Sequence, residues 1–65
     1  MHIRINKASN PSYWYAKHIN EVIPVVAIDR NDGNYWCREM DEYRALNFVL
    51  KVDATVVDAS GNKLM

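Results

Sequence analysis

The stretch "EVIPVVAIDRNDGNYWCRE", residues 21–39, carries two runs rich in β-branched and aromatic residues on either side of Asp32-Gly33. Such residues suit a pleated, half-buried surface, and an Asp-Gly pair between two such runs is a strong local hairpin signal. The sequence therefore predicts a long strand over 21–30, a tight turn in which Gly33 takes a positive φ without steric cost, and a return strand over 34–39. Alternation puts Ile23, Val25 and Ala27 on the inner face of the first of these strands. Pro24 then projects outward, where a ladder hydrogen bond is missing, as edges and bulges allow. In the return strand Tyr35 and Cys37 share one face, and Trp36 and Arg38 share the other.

Working outward, "HIRINK" (2–7) alternates polar and apolar residues and reads as a first strand, with Ile3 and Ile5 pointing the same way. "ASNPS" (8–12) is turn and loop chemistry, and the loop continues through Tyr13 to Asn20 without a clean period. Residues 39–45 read as a second loop and "LNFVLK" (46–51) as a fourth strand. "VDA" (52–54) reads as a short turn and "TVVD" (55–58) as a last strand. The tail "ASGNKLM" (59–65) either frays or turns back at Ser60-Gly61 as a short extra hairpin. The expectation is thus an all-β, five-stranded antiparallel barrel over residues 1–58. Closure is attractive because it removes exposed strand edges.

A chain of 65 residues is one domain. At this size nearly every large apolar residue is needed in the core, so spare aromatics are informative. Cys37 is the only cysteine, which excludes an internal disulfide and fits a reducing cytoplasm. "MHIRIN" alternates like a strand and lacks the apolar core of a signal peptide. The longest apolar run, Val22 to Ile28, is far short of the ~20 residues of a spanning helix. A soluble, cytoplasmic protein without membrane contact is expected. Eight Lys plus Arg balance eight Asp plus Glu, so no general affinity for phosphate backbones is indicated. The charges are unevenly distributed. Residues 1–20 carry Arg4, Lys7 and Lys17 with no acid, and residues 21–43 carry six acids against Arg30 and Arg38. One acidic face toward a basic partner is an available outcome, as is a mixed, solvated surface.

The order of these segments resembles the Src-homology-3-like barrel. An early strand leads to a long aromatic loop ("SYWYAKHINE"), then come a strand, a turn ("NDGN"), a strand with Tyr35-Trp36, and "NFVLKVD" followed by "ATVV". It looks most like the small stand-alone barrels of bacteria and bacteriophages, in which Trp14-Tyr15, Ile19 to Val25, Tyr35-Trp36 and Val49 to Asp53 would match the family pattern across residues 2–58. Asn20 stands where the family often has Gly, and the Pro-x-x-Tyr of its proline-peptide binders is absent. The resemblance implies a small accessory or inhibitory protein, phage- or prophage-encoded, rather than a reader of proline-rich peptides.

Chemistry-bearing residues are sparse. Cys37 is a lone thiol on an inner face, His2 and His18 lack the paired spacing of a metal site, and Asp41 and Glu42 are adjacent and diverge. With only Gly33 and Gly61, a Gly-rich phosphate loop cannot be built. No catalytic, cofactor or metal site is expected, and the protein reads as a non-enzyme. The aromatics point to binding instead. Tyr13, Trp14 and Tyr15 cannot all face inward from an extended segment, so one of Trp14 and Tyr15 is expected to close the core and the rest to be available for contact. The expected partner-binding residues are Tyr13, Tyr15, Trp36, Arg38 and Tyr43, engaging a larger protein. The alternatives are a nucleic-acid-binding barrel using the same face with Arg4, Lys7, Lys17 and Arg38, and homo-oligomerisation through the aromatic face.

Overall fold

A computed structural model describes residues 1–64. The strands are β1 (His2–Ile5), β2 (Val22–Pro24), β3 (Ala27–Ile28), β4 (Tyr35–Arg38), β5 (Leu46–Val49) and β6 (Ala54–Val57). Two 3-10 turns, Trp14–Lys17 and Lys51–Asp53, complete the regular structure, and the described residues contain no α-helix. The strands form two three-stranded antiparallel sheets, ordered β2-β1-β6 and β3-β4-β5. The all-β class is as expected, but there are six strands rather than five and the sheets do not close into a barrel.

The difference lies in residues 21–30. Successive amides of an extended chain point to opposite sides, and here the two sides belong to different sheets. The Val25 N–H donates to the Met1 carbonyl at 2.8 Å, and the Val26 N–H donates to the Trp36 carbonyl at 2.8 Å. The expected long strand is therefore a joint that leaves β1 and joins β4 within two residues. Pro24, which has no N–H to offer, is exposed just before the joint. The expected inner face survives only in part. Ile23 is buried and Val25 packs against the core, but Ala27 is exposed, because beyond the joint it lies opposite Trp36.

The turn at Asp32-Gly33 is wider than the tight hairpin expected. Asp29 and Asn34 close it, with the Asp29 N–H donating to the Asn34 carbonyl at 2.8 Å, leaving residues 30–33 as a four-residue loop. Gly33 does take the positive φ, at 77°. Asn20 is left-handed too, at 70°, a conformation Asn tolerates better than most residues.

The core is drawn from both sheets: Ile3 and Ile5 of β1, Ile23 of β2, Cys37 of β4 and Val49 of β5, with Tyr15 from the long loop. Period-two alternation produces this directly, since β1 buries every second residue. The C-terminal residues turn back at 58–62, and Lys63 bridges Val57.

Candidate functional site

β4 aims Cys37 into the core and Trp36 and Arg38 to the other side, as alternation requires. Residues directly opposite in an antiparallel pair share a face, so Phe48, opposite Trp36, and Leu46, opposite Arg38, lie on that outer face as well. Tyr13 arrives from the long loop. Its ring meets Phe48 edge-on, with centroids 5.1 Å apart and planes at 83°. Tyr13, Phe48 and Trp36 are each half-buried and thus partly open to contact.

Three hydrogen bonds fix this surface. The Trp36 indole N–H donates to the Asp29 carboxylate at 3.2 Å, and the Trp14 indole N–H donates to the Phe48 carbonyl at 2.6 Å. The Asn47 side-chain oxygen accepts the Phe48 N–H at 2.8 Å. β5 is an edge strand, and the last two bonds occupy backbone groups of Phe48 on its free side. The Asp29 carboxyl is held below the usual range, first by the Asn31 N–H and then, against partial desolvation, by the Trp36 indole. It stays an acceptor at neutral pH.

Tyr15 is fully buried and offers no surface, which corrects its expected place among the contact residues. Trp14–Lys17 form a 3-10 turn rather than an extended run, and this turns the Tyr15 ring inward. Its hydroxyl donates to the Asp53 carboxylate at 2.5 Å. Asp53 is itself fully buried and also accepts the Ser9 N–H at 2.9 Å and the Ser9 hydroxyl at 2.5 Å. Desolvation alone would raise the Asp53 carboxyl. The Ser9 and Tyr15 hydrogen bonds, helped by the charge of Lys7, outweigh it and hold the carboxyl below its ordinary value. Burial and the adjacent carboxylate push the Tyr15 phenol well above its own. The Asp53 carbonyl further accepts the Asn6 and Lys7 N–H groups at 2.8 and 3.3 Å. One residue thus anchors the long loop that carries Tyr13 and Trp14.

Arg38 is exposed and one guanidinium nitrogen donates to the Arg44 carbonyl at 3.3 Å. Tyr43 is 81% exposed in the 39–45 loop, where Asp41 accepts the N–H groups of Tyr43 and Arg44 at 3.0 and 2.9 Å. Among the described residues no ring contact joins Tyr43 to the outer-face aromatics. Strand pairing sets Trp36 and Arg38 on one face with Phe48, Tyr13 meets that face through the Phe48 ring, and Tyr43 sits on a separate loop. The alternation of "LNFV" opposite "YWCR" is the signal that marks Phe48 for this face.

A cleft of about 500 Å³ lies between the long loop and residues 39–41, lined among others by Tyr13, Trp14, Met40, Lys17, Glu39 and Asp41. Its charges are of both signs. Cys37 is buried and its thiol is pushed up to about 11 by desolvation, leaving it protonated at neutral pH. Among the described residues no three metal-ligating side chains converge, and none of their helices is long and apolar enough to cross a membrane. Comparison of the chain with protein families, with curated proteins and with solved structures finds no match in any of the three.

Proposed function

We propose that the protein is a non-enzymatic binding module that engages a larger protein through the outer face of β4 and β5. The observation that carries this reading is the Tyr13–Phe48–Trp36 array. In a chain with seven aromatic side chains, Tyr13 and Phe48 reach from the core edge, where they meet Tyr15, to the surface, and Trp36, opposite Phe48 in the β4–β5 pair, stands half-open beside them. Large, rigid aromatics are efficient interface anchors, since they bring much contact area for few rotatable bonds. The Asp29 and Trp14 hydrogen bonds hold the surface in one arrangement before any partner arrives, which lowers the ordering cost of binding. Arg38 beside Trp36 supplies a charge that selects among partners. An accessory or inhibitory role, in which the module covers part of a larger molecule, agrees with this reading and with the resemblance drawn from the sequence.

The test is capture from nuclease-treated and untreated lysate by tagged wild-type chain and by a Tyr13→Ala/Trp36→Ala variant whose fold is checked by far-ultraviolet dichroism. A protein retained after nuclease by wild type and lost with the folded variant supports the reading. Retention equal for both forms overturns the assignment of the face. Recovery that vanishes with nuclease favours nucleic acid as the ligand.

A further inference from the structure

Val57 is 1% exposed yet stands outside the shared core. It lies opposite His2 in the β1–β6 pair, on the side of the sheet facing away from Ile3 and Ile5. What accompanies it there is the C-terminal segment. Asp58 turns the chain by accepting the Ser60 and Asn62 N–H groups at 2.9 Å each, and its own N–H donates to the Asn62 carbonyl at 2.8 Å. Arg4, from β1, ties the turn down by donating to the Gly61 carbonyl at 3.0 Å. Gly61 sits at φ 89°, where a Cβ would come within 3.1 Å of a Val22 methyl. Beyond the turn, Lys63 bridges Val57 and the Leu64 N–H donates to the Val56 carbonyl at 3.4 Å, on the free side of β6. The segment 58–64 is thus a strap whose turn lies over the outer face of the β2-β1-β6 sheet, against Arg4 and Val22, and whose last residues, Lys63 and Leu64, run along the free edge of β6.

β6 reads Ala54-Thr55-Val56-Val57, short, uncharged and β-branched, the composition most prone to pair with another strand. The other edges have their own protection. β5 has its Phe48 backbone groups taken by Trp14 and Asn47, β3 is two residues long, and β2 ends in Pro24. We propose that the strap is a guard over β6, and that with the strap released β6 pairs with β6 of a second copy of this chain. Antiparallel self-pairing suits a second copy because it presents the same uncharged strand from both sides, with no like charges opposed. This surface is distinct from the aromatic face.

The test uses two variants. Gly61→Val in the full chain forces a β-branched residue into a left-handed backbone against Val22. A chain ending at Asp58 removes the strap outright. Sedimentation across a hundredfold concentration range and amide exchange are measured for each. The expected result is a monomeric wild type and variants whose mass rises toward twice the monomer with concentration, with the Val56 amide becoming protected on association, since the Ala54 N–H already donates to the Lys51 carbonyl. A folded variant that stays monomeric, with the Val56 amide exchanging freely, overturns the proposal. So does unfolding of both variants, because the strap would then be an indispensable part of the fold and not a guard.

Discussion

Asp53 is the one fully buried charged residue among the described residues. Its carboxylate takes donors from Ser9 and Tyr15, 44 and 38 positions away in the chain, and hydrogen bonds to a charged group are worth about 1.5–3 kcal/mol each. Tyr15→Phe removes one donor and keeps the ring, so it should cost about 1.5–3 kcal/mol in urea denaturation. Asp53→Ala removes the acceptor of three donors, leaving the buried Tyr15 hydroxyl unpaired and the Ser9 N–H and hydroxyl without their tie to the core, and should cost more. The pH dependence follows from the depressed carboxyl. A group with a lower folded than unfolded value stabilises the fold above its unfolded value, about 3.9, and loses that contribution as pH falls from there through the folded value. Stability should therefore decline below about pH 4, and Tyr15→Phe should flatten the decline by bringing the folded value closer to the unfolded one. An unchanged slope in Tyr15→Phe would detach Asp53 from the acid transition. At the alkaline end the signs reverse. Cys37 at about 11 and the Tyr15 phenol are both raised, so stability is complete below their unfolded values and falls as pH rises above about 8.5 for the thiol and 10 for the phenol. None of this was legible locally. "VDA" between two apolar runs reads as an exposed turn, because an Asp is seldom fully buried unless paired, and its partners lie in a loop without periodicity. The single acid inside "NFVLKVDATVV" was the one oddity on view.

At the scale of the element, what could be read was what period two decides. The first strand, the return strand with its inward Cys37, and the alternation that sets Trp36 apart from Tyr35 are local properties, and the structure keeps them. The splitting of 21–30 is not local. Each half is a good strand, and only the identity of its hydrogen-bonding neighbour, β1 for one and β4 for the other, tells them apart. Loop width escaped for a related reason. Asp32-Gly33 announces a turn, but the Asp29 side chain, accepting the Asn31 N–H at 2.8 Å, draws two more residues into it. Two substitutions probe the loops. Gly33→Ala places a Cβ at φ 77°, 3.4 Å from the Lys51 side chain, and should cost roughly 1–2 kcal/mol. Arg44, at φ 53° and exposed, already bears such a penalty, and the bonds of its N–H and carbonyl are backbone bonds that survive substitution. Arg44→Gly should raise the denaturation midpoint. A fall would mean that the guanidinium contributes packing the loop requires.

For the whole molecule the deciding circumstance is that neither sheet has a core of its own. Ile3, Ile5 and Ile23 from one meet Cys37 and Val49 from the other, with Tyr15 between the two sets of contacts and its hydroxyl tied to Asp53. A three-stranded sheet of two- to four-residue strands is marginal by itself and gains stability only by covering an apolar face. The Val25–Val26 joint makes the two ladders parts of one strand path, so opening one sheet strains the other. Unfolding should therefore be a single cooperative transition, with tryptophan fluorescence, from Trp14 and Trp36, and far-ultraviolet dichroism giving coincident urea curves. At about 0.05–0.15 kcal/mol per residue, a chain of this length has a total stability of about 3–10 kcal/mol. Ile5 is fully buried at the centre of the shared core, and truncation of such a residue to Ala costs about 2–5 kcal/mol. Ile5→Ala should consequently bring the fold close to its limit and weaken both sheets together, even though Ile5 belongs to only one of them. If dichroism reported loss of half the strand signal while the tryptophans, both held on the β3-β4-β5 sheet, kept their native emission, the sheets would be separable units, and the joint would be a linker instead of the element that makes them one.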